Sequence, residues 1–507
     1  MKYLALIFTL IPLLGFSQVL ENDFSEPYPF GNPVIRHMYT ADAAPHVMPD
    51  GRVWMVTSVD HLDGGGYATM HRYHLFSSAN MKDWHDHGEC FHIHQLEPKA
   101  IDETEQQWAA WAPDMVYRNG KYYLYIPVRI LYPKKTRPNG GRWVETHLAV
   151  AVADKLGDRF EVINPKIDAT RGIDPSVFID DDGTPYMYWG SHDAAVLKEN
   201  MYELATEPVK LEVGTDRFME AAWMNKVGDE YHLSYHTKYD WKLGVTPENH
   251  DDPERLKSEL WYSVSDSPWG PFELEGTLNY ELGVNVDNGP RHPEGDFVPW
   301  KLTQSNHGGI VEFHGQEYLF YHTSALSSWL QTRFKDKGTW TQRSVCVDKL
   351  NYDEEGKVIP IQQTIEGVEA VIVDQPFEID LRQLTIAERN GFSIVDNKII
   401  TTEKTSWAKI EDVDLGTGYY YYEAEIYEAK HPFKIELRLD APDGKLLGTA
   451  QFQQPANIKE GGVMDCRLRE ANGKHDLYVL FVSDKASNSF RGNTSRIFAG
   501  SPLPLDQ

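Results

Sequence analysis

Apolar and polar positions alternate with a short period along most of the chain, and the alternation comes in repeats. Five segments share one pattern: TADAAPHVMPDGRVWMVTSVD from Thr40, AWAPDMVYRNGKYYLYIPV from Ala110, GIDPSVFIDDDGTPYMYWG from Gly172, MEAAWMNKVGDEYHLSYHT from Met219 and NHGGIVEFHGQEYLFYHTS from Asn306. Each opens on small residues, passes through a few β-formers, turns at a glycine and continues as alternating aromatic and aliphatic residues. A glycine turn between two such runs predicts a β-hairpin. Further strand-like stretches follow four of them: HRYHLFSSANMKDW from His71, THLAVAVADKLGDRF from Thr146, ELWYSVSDSPWGPF from Glu259 and RSVCVDKLNYDEEGKV from Arg343. Sheets of this kind repeated along a chain predict a five-bladed β-propeller, a radial arrangement that leaves only short, protected edges. A β-sandwich is the competing architecture. The long stretches from Lys238 to Lys257 and from Glu281 to Gln304 are expected to be loops crowding one face.

Beyond Gln375 the repeat ends and another rhythm begins. SWAKIEDVDLG from Ser406, YYYYEAEIYEA from Tyr419, FKIELRLDAPDGKLLGTAQF from Phe433 and GKHDLYVLFVS from Gly473 alternate between regular turns. That predicts a β-sandwich of the jelly-roll kind. The run Tyr419 to Tyr422 places successive rings on opposite faces, so some are core. The whole chain is therefore expected to be all-β, with a propeller over 32–363 and a sandwich over 376–507.

Composition changes this picture in three places. With 507 residues, 41% hydrophobic and 25% charged, there is material for two domains. Met1-Lys2 precede an uncharged apolar stretch from Tyr3 to Phe16 that closes on Gly15-Phe16-Ser17-Gln18. This predicts a secretory signal peptide over 1–17, shorter than the roughly 20 apolar residues of a membrane span. The mature protein is expected to be exported, periplasmic or extracellular, with no transmembrane segment. A net charge of -27 argues against nucleic acid, whose phosphates need a basic face, while leaving neutral or weakly acidic polysaccharide open. The same acidity also serves solubility. Cys90, Cys346 and Cys466 are odd in number and far apart, so they predict no disulfide framework.

Candidate chemistry appears when the hairpins are aligned on their turn glycines, Gly51, Gly120, Gly183, Gly228 and Gly315. Eight or nine residues earlier stand Asp42, Trp111 or Ala112, Asp174, Glu220 and His307. The innermost strand of each blade lines the central channel, so these residues should converge. Strands that merely packed would carry small apolar residues there, because a buried unpaired carboxylate is costly. Three carboxylates and an imidazole near one axis can push one another's pKa values apart. Glycoside hydrolysis needs such a set: one carboxyl to protonate the leaving oxygen, one carboxylate to activate water or attack carbon. Trp111 offers an aromatic face for a sugar, whereas Trp54 and Trp223 read as blade packing. The DDDG run at Asp180 to Gly183 lacks the helical context and downstream Glu of a calcium loop and reads as a hairpin turn. His92 and His94 share one face, with no third metal ligand apparent in the sequence.

These segments resemble glycoside hydrolase family 43 from about Asn32 to Gln363. NPVIRHMYTADAAP is similar to that family's opening segment, WAPDMVYRNGKYYLYIPV to its second-blade signature and GIDPSVFIDDDGTPYMYWG to its third. The resemblance implies that Asp42 is the general base, that Asp174 tunes and orients the acid, and that Glu220 in FMEAAWMNKVGDEYHLSYH is the general acid. It implies too that His307 faces the channel and helps hold a calcium ion, usually through water, and that Arg343 contacts sugar hydroxyls. Ala43-Ala44-Pro45 follow Asp42 where many members have Asp-Pro, a departure in backbone shape rather than chemistry. The implied activity is inverting and exo-acting, releasing terminal L-arabinofuranosyl or D-xylosyl units from plant or algal polysaccharides. An endo-acting arabinanase is the alternative among enzymes, and a non-catalytic carbohydrate-binding propeller the alternative outside them. IELRLDAPDGKLLGT and HDLYVLF resemble carbohydrate-binding module family 6, with NTSRIFAG where that family usually has an aromatic-rich closing strand.

Overall fold

The structure is a computed structural model that describes residues 21–499 apart from 64–69, 101–104, 241–251, 253, 282–304, 336–337, 340, 372–376, 381–388, 416–418, 453–460 and 469–472. The expected signal peptide and most of the two long loops lie outside the described residues. Each repeat forms its own antiparallel sheet. Four sheets have four strands in chain order and the second has five. The innermost strands are Thr40–Val47, Asp114–Arg118, Ser176–Ile179, Phe218–Val227 and Gly309–Phe313, one from each repeat. At the DDDG turn, Gly183 N–H donates to Asp180 O at 2.8 Å with Gly183 at φ +84°, a left-handed conformation that favours glycine.

Aromatic and aliphatic alternation in the second strands fills the seams between blades. Tyr125, Leu148, Met187 and Trp189 pack between the second and third blades, and Tyr188, Phe218, Leu233 and Tyr235 between the third and fourth. Each fully buried apolar side chain of this size contributes about 1.5–3 kcal/mol. Trp54 and Trp223 sit in this packing, as their pattern predicts: Trp54 Nε1 donates to Asp50, and Trp223 Nε1 donates to Ile310 O at 3.1 Å. The ring is closed by the segment before the first blade, where Asn32 Nδ2 donates to Val347 O and Thr364 O, both at 3.0 Å, and Asn32 Oδ1 accepts from Val347 N. Nearer the axis, buried Asp114 takes His46 Nε2 at 2.7 Å on one oxygen and Val177 N–H at 2.6 Å on the other, tying three blades together.

Two features depart from the pattern. In the second blade both Gln107–Ala110 and Asp114–Arg118 pair with one long strand, Lys121–Thr136, whose partner is Arg142–Ala153. In the fifth, a helix Ala325–Thr332 stands between strands, its Leu326 and Leu330 one turn apart and buried against Tyr28 and Tyr39. Beyond the propeller, eleven strands from Phe377–Asp380 to Asn488–Ala499 wrap into one nearly closed sheet. Strand Leu446–Phe452 pairs with Lys434–Leu439 on one layer and Gly462–Arg467 on the other, so the layers enclose Ile435, Leu437, Met464, Val479 and Phe481. Tyr422 is buried there; the side chains of Tyr419, Tyr420 and Tyr421 lie outside the described residues. The sandwich touches the first blade through His85 Nδ1 and Asp465 Oδ1, 2.5 Å apart. The three cysteines are free thiols. No helix among the described residues is long and apolar enough to cross a membrane.

Candidate active site

On the channel axis a cavity of about 150 Å³ is lined by Asp42, Trp111, Asp174, Glu220, His307 and Arg343, with Met70, Ala112, Ile173 and Ser305 completing its wall. All the residues singled out at the repeat starts thus meet in one place. Their backbone explains how. Asp42 and Asp174 adopt φ +55° and +52°, and Ala221, next to Glu220, φ +62°. Strand pairing is interrupted between Ala41 and Ala44 and again on both sides of Glu220. An extra residue of this kind kinks a strand and re-aims a side chain, here toward the channel. Asp tolerates the left-handed region better than most residues, whereas Ala221 carries a steric cost of about 1–2 kcal/mol. Such strain collects where surrounding structure fixes a functional geometry.

Asp42 is surrounded by donors. Arg343 Nη1 lies 2.9 Å from Asp42 Oδ1, His307 Nδ1 lies 3.0 Å from the same oxygen, and Ser58 Oγ donates to Oδ2. Arg343 is itself clamped by Asp60, which accepts from its Nε and Nη2 at 2.9 Å, a bidentate pairing that fixes the guanidinium plane. Burial pushes the Asp42 carboxyl up, but Arg343, then His307 and His322, more than reverse this and hold it well below the usual carboxylate range. Asp42 is therefore ionised although only 2% exposed.

Glu220 has the opposite surroundings. Burial first, then the adjacent Asp174 carboxylate, raise its pKa to about 7, against weaker opposing effects of Ser305 and His307. Glu220 Oε1 and Asp174 Oδ2 are both buried without a hydrogen-bond partner among the described residues. His307 bridges the two sides, with Nδ1 on Asp42 and Ser305 O and Nε2 at 3.6 Å from Asp174 Oδ1. Burial favours its neutral form, yet Asp42 and Asp174 raise its pKa well above that of an ordinary imidazole. A proton-bearing carboxyl thus stands in the same small cavity as an ionised carboxylate, with a cation between.

This donor set does not suit direct calcium ligation. Calcium takes six to eight oxygens, whereas His307 offers nitrogen and is itself the cation between two carboxylates. The buried His236 Nδ1, His307 Nε2 and Asn306 Nδ2 lack hydrogen-bond partners among the described residues, which fits bound water and, through it, a hydrated ion. Elsewhere, His92 Nδ1 accepts from His94 N–H at 3.2 Å and caps a short turn.

Ser58, Asp60 and His322 were not foreseen from the sequence. They lie at or just beyond the ends of second strands, which antiparallel pairing brings opposite the starts of first strands: Ala41 faces Ser58, and Glu220 faces His236. For His322 a signal was present in the repeated Tyr-His-Thr at 235–237 and 321–323; Ser58 and Asp60 stand in no such repeat. Trp111 is backed by Arg129, whose guanidinium carbon lies 5.3 Å from the ring centre.

A five-bladed propeller with this pair of carboxyl groups on its axis has the form of a glycoside hydrolase. The chain belongs to Glycosyl hydrolases family 43, which matches residues 30–358, and residues 384–493 match the carbohydrate binding module (family 6). Among similar proteins, a xylosidase/arabinosidase 43A of Humicola insolens is 28% identical over 64% of this chain and 98% of its own. An arabinoxylan arabinofuranohydrolase of Bacillus subtilis is 25% identical over 90% of each chain. A crystal structure of a Bacillus subtilis family 43 arabinoxylan arabinofuranohydrolase in complex with cellotetraose, 20% identical, covers 93% of this chain and 98% of that one with a TM-score of 0.51, a likeness of fold.

Proposed function

We propose that the cavity hydrolyses a terminal glycosidic bond with inversion, Glu220 acting as general acid and Asp42 as general base. Glu220 gives its proton to the departing oxygen while Asp42 takes one from a water that attacks the anomeric carbon from the opposite face. Asp174 keeps Glu220 protonated and oriented, and His307 and Arg343 keep Asp42 ionised. Arg343 also donates to a sugar hydroxyl, and Trp111 stacks on the ring. The observation that carries this reading is the split between the two carboxyl groups, one raised to about 7 and one held well below the ordinary range. A volume of about 150 Å³ suits one terminal sugar. It falls below the roughly 300–1,000 Å³ of pockets for larger ligands.

The sugar released is an L-arabinofuranosyl or D-xylosyl unit of a plant or algal polysaccharide. The names of the Humicola insolens and Bacillus subtilis relatives support this, and the family 6 module supports attachment to the polymer. Export to the periplasm or beyond accords with a polymeric substrate. A calcium ion held through water near His307 is the structural part of the proposal; when bound it would add positive charge to the channel floor. The test is incubation with nitrophenyl α-L-arabinofuranoside, nitrophenyl β-D-xyloside, arabinoxylan and linear arabinan. Release of single pentoses alone is expected. Oligosaccharides released from linear arabinan would indicate endo action, and no release from any of them would overturn the proposal.

A further inference from the structure

A second cavity lies beside the catalytic one. It is a groove of about 820 Å³ between the tip of the long second-blade hairpin, residues 137–147, and the segment 166–171. Both banks run into the catalytic wall. Pro127 O, within the first arm of the hairpin, accepts from Trp111 N–H at 3.0 Å, and Arg171 stands two residues before Ile173 and three before Asp174. The groove thus comes within two residues of the catalytic wall, Arg171 lining the one and Ile173 the other. The volume lies in the range for ligands larger than one sugar.

Its charge is the reverse of the rest of the molecule. The chain has 76 acidic and 49 basic residues, yet the hairpin bank of the groove carries Arg137. Lys166 and Arg171 add to the opposite bank. Arg137, Lys166 and Arg171 form no ion pair among the described residues. Arg129 Nη1 is buried without a hydrogen-bond partner among the same residues. The one carboxylate lining the groove, Glu145, accepts from Trp143 Nε1 at 3.0 Å and Tyr132 OH at 3.1 Å. That bond orients Trp143, which is 36% exposed, as an aromatic surface at the groove. Cations left unpaired on an acidic protein focus anions locally, and an exposed indole suits the apolar face of a sugar.

We propose that this groove binds a uronic acid unit of the polysaccharide, so that the preferred substrate carries carboxylate-bearing sugars close to the unit removed. The inference rests on the reading of the catalytic cavity as a glycosidase site. Arg137, Lys166 and Arg171 face the carboxylate, and Trp143 supports the sugar ring.

The test is titration calorimetry on the full chain in a Glu220→Gln background, which keeps the probe from being consumed. The probes are xylo-oligosaccharides bearing one glucuronic acid branch and the same oligosaccharides after carboxyl reduction. Solvent-exposed ion pairs are individually weak, so three acting together should tighten binding of the acidic probe about three- to tenfold at low salt. Near 1 M salt, where the screening length is about 3 Å, the gap should close. Arg137→Gln/Lys166→Gln/Arg171→Gln should remove it at low salt too, with the melting temperature confirming a folded chain. Equal affinity for the two probes at low salt, or a gap that survives the triple substitution, would overturn the assignment. Because calorimetry reads binding alone, a chain that binds the acidic probe selectively but releases no pentose would contradict the catalytic reading and leave this one standing. A chain that releases pentoses without that selectivity would do the reverse.

Discussion

The Asp42 and Glu220 sides of the cavity start from the same structural position and end in opposite chemical states. Both residues open an inner strand, both stand at an interruption of strand pairing, and both line the cavity, Asp42 buried and Glu220 half-buried. Asp42 meets a clamped guanidinium, an imidazolium and a hydroxyl, and stays ionised. Glu220 meets another carboxylate and holds its proton up to about pH 7. Burial pushes both carboxyl groups in one direction, so it cannot distinguish them; the neighbours do. Symmetry of the fold brings acids to the axis, and the charged neighbours of each, Arg343 and His307 for Asp42 and Asp174 for Glu220, decide what it can do.

Removing one side at a time should break the comparison unequally. Asp42→Ala is expected to have the largest effect, about ten-thousand-fold in kcat/KM on every substrate, because water must be activated whatever leaves. Steady-state kinetics on natural and aryl substrates checks this. Glu220→Ala should cost about a thousandfold on arabinoxylan and about tenfold or less on nitrophenyl glycosides, whose leaving group needs little protonation. Asp174→Asn should lower turnover by about ten- to a hundredfold and move the alkaline limb of the pH profile. Glu220's proton is lost as pH rises through about 7; without the neighbouring negative charge it is lost at lower pH, so the limb should shift downward. An unmoved limb would remove Asp174 from the acid's surroundings. The smallest effect is expected of metal removal. Exhaustive chelation should lower the melting temperature by a few degrees and change kcat less than about threefold, since the proposed ion is held through water. An unchanged melting temperature and rate in metal-free protein would withdraw calcium from the account.

What the sequence made legible follows the same division. The repeat exposed the propeller and put Asp42, Asp174, Glu220 and His307 at equivalent positions, because a radial fold converts equal spacing into proximity. It left Trp111 and Ala112 undecided because the second blade has the additional strand Gln107–Ala110. Ser58, Asp60 and His322 were hidden by their ordinary surroundings in the second strands, and only antiparallel register reveals that they face the axis. The helix Ala325–Thr332 is too short for periodicity to announce it. In the sandwich, NTSRIFAG has few aromatic residues, yet its residues 493–499 belong to Asn488–Ala499, which pairs with Phe377–Asp380, Lys398–Thr401 and Tyr419–Tyr427. Backbone pairing, not aromatic content, makes that strand central.

The central claim is that one carboxyl activates water while the other protonates the leaving oxygen, with no bond between sugar and enzyme. Inverting sites separate the two groups by roughly 6.5–9.5 Å to admit that water. The direct measurement is proton NMR of the first product formed during early turnover, before mutarotation. The account predicts that the sugar appears first in the anomeric configuration opposite to that of the substrate. Retained configuration would mean a covalent intermediate and would contradict the assignment of Asp42 as base.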